Sequence, residues 1–118
     1  MPEHNPVQIE QAIRECANRI TKGVTVCANA YSAFLGADHE YDQAFAHAYL
    51  AHEGPAHEKK YAAELATPEQ RHNRDLADAA YRYADRQARA LEAELRAWQS
   101  VGASVRQMYA VAGRGDGA

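Results

Sequence analysis

Apolar residues recur along this chain at an alternating spacing of four and three positions, in two long runs. The first run is Ile9, Ile13, Cys16, Ile20, Gly23, Cys27, Ala30, Phe34, Ala37, Tyr41, Ala44, Ala48 and Ala51. The second run is Ala77, Tyr81, Ala84, Ala88, Leu91, Leu95, Trp98, Gly102, Val105, Tyr109 and Ala112. A mean period of about 3.5 residues keeps one face of an α-helix turned toward a partner helix. We call these two runs the seam. The pattern predicts an all-α fold, a long antiparallel helical hairpin that resembles a coiled coil.

Start and stop signals divide the chain into three helices. Asn5-Pro6 is typical of an N-cap followed by proline at the first helical position, and Gly54-Pro55 ends the helix that begins there. Thr67-Pro68 is a second start signal, with Thr67 as the N-cap and Gln70 at the capping-box position. We therefore predict one helical domain over 1–118, with helices over about 6–52, 55–65 and 68–112, and a disordered tail over 113–118.

Several large apolar residues, such as Leu35, Leu50 and Tyr83, fall outside the seam. A lone hairpin would leave them in water, so they favour self-association into a homo-oligomer. Cys16 and Cys27 lie three helical turns apart on the seam, which predicts buried free thiols rather than a disulfide. No segment resembles a signal peptide or a membrane span, so we expect a cytoplasmic protein with no membrane partner.

The charge of the chain is unevenly distributed. Its net charge is −3, yet most of the arginines follow residue 70. Arginine contacts phosphates and tyrosine can stack on unpaired bases. The candidate nucleic-acid-binding residues are Arg71, Arg74, Arg82, Tyr83, Arg86, Arg89 and Arg106. The alternative is a solvated helix face, because Asp78–Arg82 and Asp85–Arg89 are acid-first pairs at the favourable spacing of four.

Other chemistry has little support in the residues. His47, His52 and His57 are spaced by five, which is poor for one helix face, and Gly54-Pro55 separates the last two. A single Glu-x-x-His, at Glu69 and His72, does not make a di-iron bundle. No nucleophile sits in a glycine-rich turn beside a base. We therefore predict a protein that is not an enzyme and has no catalytic residue, metal site or cofactor.

Three elements between Tyr41 and Met108 resemble a group of small phage-encoded helical proteins. They are AYLAHEG over 48–54, AELAT over 63–67 with RDLA over 74–77, and the segment from Leu91 to Met108. The overall layout resembles the UvsY-type recombination mediators of bacteriophages. That resemblance implies an oligomeric accessory protein of recombination or replication in the host cytoplasm. It also implies single-stranded DNA and a RecA-like recombinase as partners.

Two functional hypotheses follow. The first is an oligomeric single-stranded DNA-binding accessory protein, in which the arginines contact phosphates. The second is a helical protein–protein adaptor, or an inhibitor of a host protein, that offers one helix face to a groove and binds no nucleic acid.

Overall fold

The computed structural model describes residues 5–116 and contains three helices. Helix α1 spans Pro6–Ala51, α2 spans Ala56–Ala66 and α3 spans Pro68–Asp116. Within the described residues there is no strand, and no helix is long and apolar enough to cross a membrane. The predicted all-α helical hairpin is confirmed, and the predicted helix bounds hold to within one residue everywhere except at the end of α3.

Helix α1 begins where the sequence signal placed it. The backbone N–H of Gln8 donates to Asn5 Oδ1 at 2.8 Å, and the N–H of Asn5 donates to Gln8 Oε1 at 3.4 Å. These reciprocal bonds form a capping box, which satisfies backbone donors that the first turn leaves without a helical partner. The predicted N-cap is confirmed, and Gln8 adds the second half of the box.

Helix α3 extends further than predicted. The predicted end near residue 112 is wrong, because the helix continues through Asp116. The disorder predicted for the tail over 113–118 stays a prediction, and residues 117 and 118 lie outside the described residues. Glycine often ends a helix in a left-handed conformation. No glycine among the described residues has positive φ, so Gly113 simply continues the helix.

The joint between α2 and α3 also differs from the prediction. Thr67 is 2% exposed, and its hydroxyl donates back to the carbonyl oxygen of Ala63 at 2.7 Å. Thr67 is the N-cap residue of α3 as predicted, since α3 begins at Pro68 and the N–H of Arg71 donates to the Thr67 carbonyl oxygen at 3.1 Å. Within the described residues, however, no α3 amide donates to its hydroxyl. Thr67 closes the end of α2 instead, and Ala63 beside it is fully buried. A buried hydroxyl needs a partner, and the nearest carbonyl of the preceding helix supplies it.

The chain comprises two compact units, Met1–Thr25 with Arg86–Ala118, and Val26–Asp85. In the first unit α1 and α3 run antiparallel. A Cβ built on Gly102 would lie 3.2 Å from Ile9 Cγ2, so this glycine permits a close approach of the helices. A cavity of about 60 Å³ adjoins that contact. Further along, the Cys16 thiol donates to the carbonyl of Leu91 at 3.2 Å.

In the second unit α1 and α3 again run antiparallel and α2 packs beside them. The rings of Tyr31 and Tyr81 lie 5.0 Å apart between centroids. The Arg74 guanidinium lies 4.4 Å from the centroid of the Tyr41 ring. The Lys59 ammonium of α2 lies 5.8 Å from another tyrosine ring of α1, at Tyr49. Cation–π contacts of this kind hold the charged ends of long side chains against aromatic faces.

The seam is confirmed by burial. All its positions are buried or half-buried except the end positions Ala51, Tyr109 and Ala112. Since Ile9 lies opposite Gly102, Tyr109 one heptad later lies beyond the start of α1 at Pro6. Few side chains are almost completely buried, however. Among the described residues the buried apolar ones are Ile9, Cys16, Ala63 and Ala84.

Candidate functional site

The predicted nucleic-acid-binding residues all belong to α3, but they do not form one surface. At about 100° of rotation per residue, Arg71, Arg82, Arg86 and Arg89 lie within about 60° of one another around the helix axis. Arg74 instead turns toward α1 and stacks on Tyr41. Tyr83 and Arg106 fall on other sides of the helix, and Arg106 lies nearly five turns beyond Arg89.

Several of these side chains already have acidic partners. Arg82 Nε donates to both carboxylate oxygens of Asp78, at 3.1 and 3.2 Å. Arg74 donates to Asp75 Oδ1 from Nε at 3.4 Å and from Nη2 at 3.2 Å. Arg71, Arg86 and Arg106 are exposed and make no ion pair with the described side chains of residues 5–113. The positive charge available to a polyanion is therefore smaller than the number of arginines indicates.

The solvent-facing sides of α3 differ sharply in chemistry. One side, which we call the charged flank, alternates acids and bases at a spacing of four and three: Asp78, Arg82, Asp85, Arg89, Glu92 and Arg96. Residues at this spacing are neighbours on one face of a helix. Acid and base alternate without a block of one sign, so the face as a whole carries little net charge.

The other side, which we call the apolar flank, has the same spacing and almost no charge. It consists of Leu76, Ala80, Tyr83, Gln87, Ala90, Glu94, Ala97, Val101, Ser104, Met108 and Val111. Leu76 is 56% exposed and Tyr83 65% exposed. The sequence analysis placed Tyr83 off the seam but did not recognise that it belongs to a second row with the seam's own spacing.

Glu94 is the one acid of the apolar flank, and α1 holds it in place. Arg19 Nη1 lies 3.5 Å from Glu94 Oε2, and the Cys16 thiol lies 3.9 Å from the same oxygen. Burial raises the pKa of the Cys16 thiol, and the Glu94 carboxylate raises it further. Cys16 therefore stays protonated and serves as a packed hydrogen-bond donor rather than as a nucleophile.

Helix α1 carries a shorter exposed row, which we call the α1 stripe. Val24, Ala28, Tyr31 and Leu35 follow the spacing four, three, four. Val24 is 66% exposed, and Leu35 is 48% exposed. Tyr31 is partly covered by its ring contact with Tyr81. Amphipathic helices that bind in a hydrophobic groove present a row of apolar side chains at this spacing.

Within the described residues no group of three or more His, Cys, Asp and Glu side chains could hold a metal ion. Of the histidines singled out in the sequence, His52 contacts an acid, with Nε2 3.4 Å from Glu58 Oε2 across the turn at Gly54. The turn brings both side chains against Gly54, where a Cβ would lie 2.6 Å from His52 Nε2 and 3.1 Å from Glu58 Oε2.

No protein-family model, no curated protein and no solved structure matches this chain. The resemblance to UvsY-type mediators stays a prediction.

Proposed function

We propose that this protein is a non-enzymatic helical interaction protein, an adaptor or inhibitor that binds other proteins through helix faces. The observation that carries the proposal is the exposure of large apolar side chains in ordered rows outside the seam. The α1 stripe, in which Val24 is 66% and Leu35 48% exposed, is one such row. Exposed apolar patches in ordered rows are typical of interaction surfaces.

The arrangement suits binding by side-chain packing. The α1 stripe spans three helical turns, so its residues are placed like the anchors of a helix that lies in a groove. Its backbone is already helical in the free protein. A partner would therefore not have to order this segment on binding, which reduces the entropic cost of association.

Single-stranded DNA binding is the second candidate. The observation in its favour is the sector of α3 that contains Arg71, Arg82, Arg86 and Arg89. Against it, Asp78 neutralises Arg82, and acids alternate with bases along the charged flank. A phosphate track needs uncompensated cations, because release of counterions by such cations supplies most of the affinity.

One experiment separates the two candidates. A photo-crosslinking amino acid is placed at Leu35 on the α1 stripe or, as the control, at Asn29, which is also exposed on α1 but lies on another face. In a lysate of cells that express the protein, we expect protein adducts of discrete mass from position 35 and not from position 29.

In parallel, anisotropy of a labelled single-stranded oligonucleotide is followed between about 50 and 200 mM salt. We expect no binding at either salt concentration. Salt-sensitive oligonucleotide binding without protein adducts from position 35 would overturn the interaction proposal and support the DNA-binding one.

A further inference from the structure

We propose that the α1 stripe binds a basic amphipathic helix of a partner protein, whose lysine or arginine side chains contact Asp38 and Asp42 beyond the end of the stripe. This inference rests on the function proposed above, because it states the chemistry of the partner that the same stripe binds.

The helix row that contains the stripe changes from apolar to acidic. In the unit Val26–Asp85 the stripe consists of Ala28, Tyr31 and Leu35, and the same alternating spacing of three and four continues to Asp38 and Asp42. Residues at this spacing are neighbours on one face of a helix. A partner that packs along this row therefore contacts apolar side chains over most of its length and two carboxylates at one end.

These two carboxylates have no positive partner of their own. Asp42 is exposed and Asp38 is half-buried. Neither makes an ion pair with the described side chains of residues 5–113. A cation that a partner brings to this position would therefore not have to displace one already there.

The unit around the stripe is acidic as a whole. With histidine neutral, Val26–Asp85 contains ten acids and five bases, a net charge of −5, whereas the whole chain carries −3. Two of the five bases are paired within α3, Arg74 with Asp75 at 3.2 Å and Arg82 with Asp78 at 3.1 Å. A surface of this sign attracts cationic partners and disfavours anionic ones.

The apolar part of the row fits a helix as the partner. Tyr31 is 46% exposed and Leu35 48% exposed, so each has surface left to bury. From Ala28 to Asp42 the row extends about 21 Å along α1, at about 1.5 Å per residue. A partner helix of about four turns covers that length and can place apolar residues on the stripe and basic residues at the acids.

The test uses the full chain and three labelled synthetic peptides of about 18 residues, followed by fluorescence anisotropy. One peptide is an amphipathic helix with leucine on one face and lysine on the other. The second has glutamate in place of lysine, and the third is a scrambled lysine peptide without an apolar face. We expect the amphipathic lysine peptide to bind at least about tenfold more tightly than either control, and less tightly as salt increases.

Variants of the chain locate the binding. Asp42→Asn should weaken binding of the lysine peptide about threefold, and Asp38→Asn with Asp42→Asn about tenfold. The matched control is Glu40→Gln, because Glu40 is exposed and lies on the opposite side of α1 from both aspartates. It should change the affinity by less than Asp42→Asn does. Leu35→Asn should weaken binding about tenfold through lost apolar contact. Circular dichroism checks that every variant stays helical.

Equal binding of the lysine and glutamate peptides overturns the proposal, as does the absence of binding by all three up to about 100 μM. Equal losses in Asp42→Asn and Glu40→Gln also overturn it, because only the total charge would then matter. The cross-linking experiment judges the proposed function separately. If adducts from position 35 form equally well when Asp38 and Asp42 are both replaced by asparagine, the interaction function stands and the basic partner is refuted.

Discussion

A glycine in the seam offers a sharp test of how the two long helices pack. Gly23 is half-buried in α1, and a Cβ built on it meets no atom within 4 Å. Its φ is not positive, so alanine fits the backbone without strain. Alanine is favoured over glycine inside a helix by about 1 kcal/mol. Burial of the added methyl against the seam contributes up to about 0.8 kcal/mol more.

Gly23→Ala should therefore raise the free energy of unfolding by about 1–2 kcal/mol, which corresponds to a rise in Tm of about 4–8 °C for a chain of this size. Thermal melts followed by circular dichroism at one fixed protein concentration measure it. Gly36→Ala is the matched control, because Gly36 lies in the same helix, is exposed and also has nothing within 4 Å. The Gly36→Ala variant should gain only the helix-propensity contribution of about 1 kcal/mol. If Gly23→Ala melts lower than wild type while Gly36→Ala melts higher, the helices approach more closely than described and the reasoning is wrong.

Other substitutions probe the seam, the cap and the buried thiol. Gly102→Leu must displace Ile9, because even a Cβ at this position would lie 3.2 Å from Ile9 Cγ2, so a loss of about 1–3 kcal/mol is expected in urea unfolding. Leu95→Asp puts a charge into the half-buried seam and should cost about 2–4 kcal/mol, seen as lower helicity at 25 °C. Asn5→Ala removes the side-chain acceptor at the start of α1 and should cost about 1 kcal/mol in the same assay. Because burial raises the pKa of Cys16, the unfolded thiol ionises first, and stability should fall as pH rises above the ordinary value of 9.0, an effect that Cys16→Ala should abolish.

The seam was predictable because its physical cause is local and periodic. Each member, from Ile9 to Val105, follows from helical geometry and from the need to cover apolar surface on one face. The N-cap at Asn5 was predictable for the same reason, since it depends on residues within one turn.

What could not be predicted depends on contacts between distant segments or on choices between two local solutions. The bond from Cys16 to the carbonyl of Leu91 requires the register of the hairpin, which spacing alone does not fix. Thr67 has a hydroxyl that can serve either neighbouring helix, and only the packed joint decides that it donates to Ala63. The arginines overstate the positive charge of α3 for a similar reason. An arginine can attract a polyanion only where no acidic neighbour neutralises it, and Asp78 neutralises Arg82.

A seam uses two of every seven positions, and the other five are free to diverge. On α3 these positions form two faces of different composition. The charged flank alternates acids and bases, and the apolar flank runs from Leu76 to Val111. Balanced charges along a solvated face need no partner, whereas an exposed apolar row lowers solubility unless something covers it. The small number of well-buried side chains makes this asymmetry matter for stability as well as for binding.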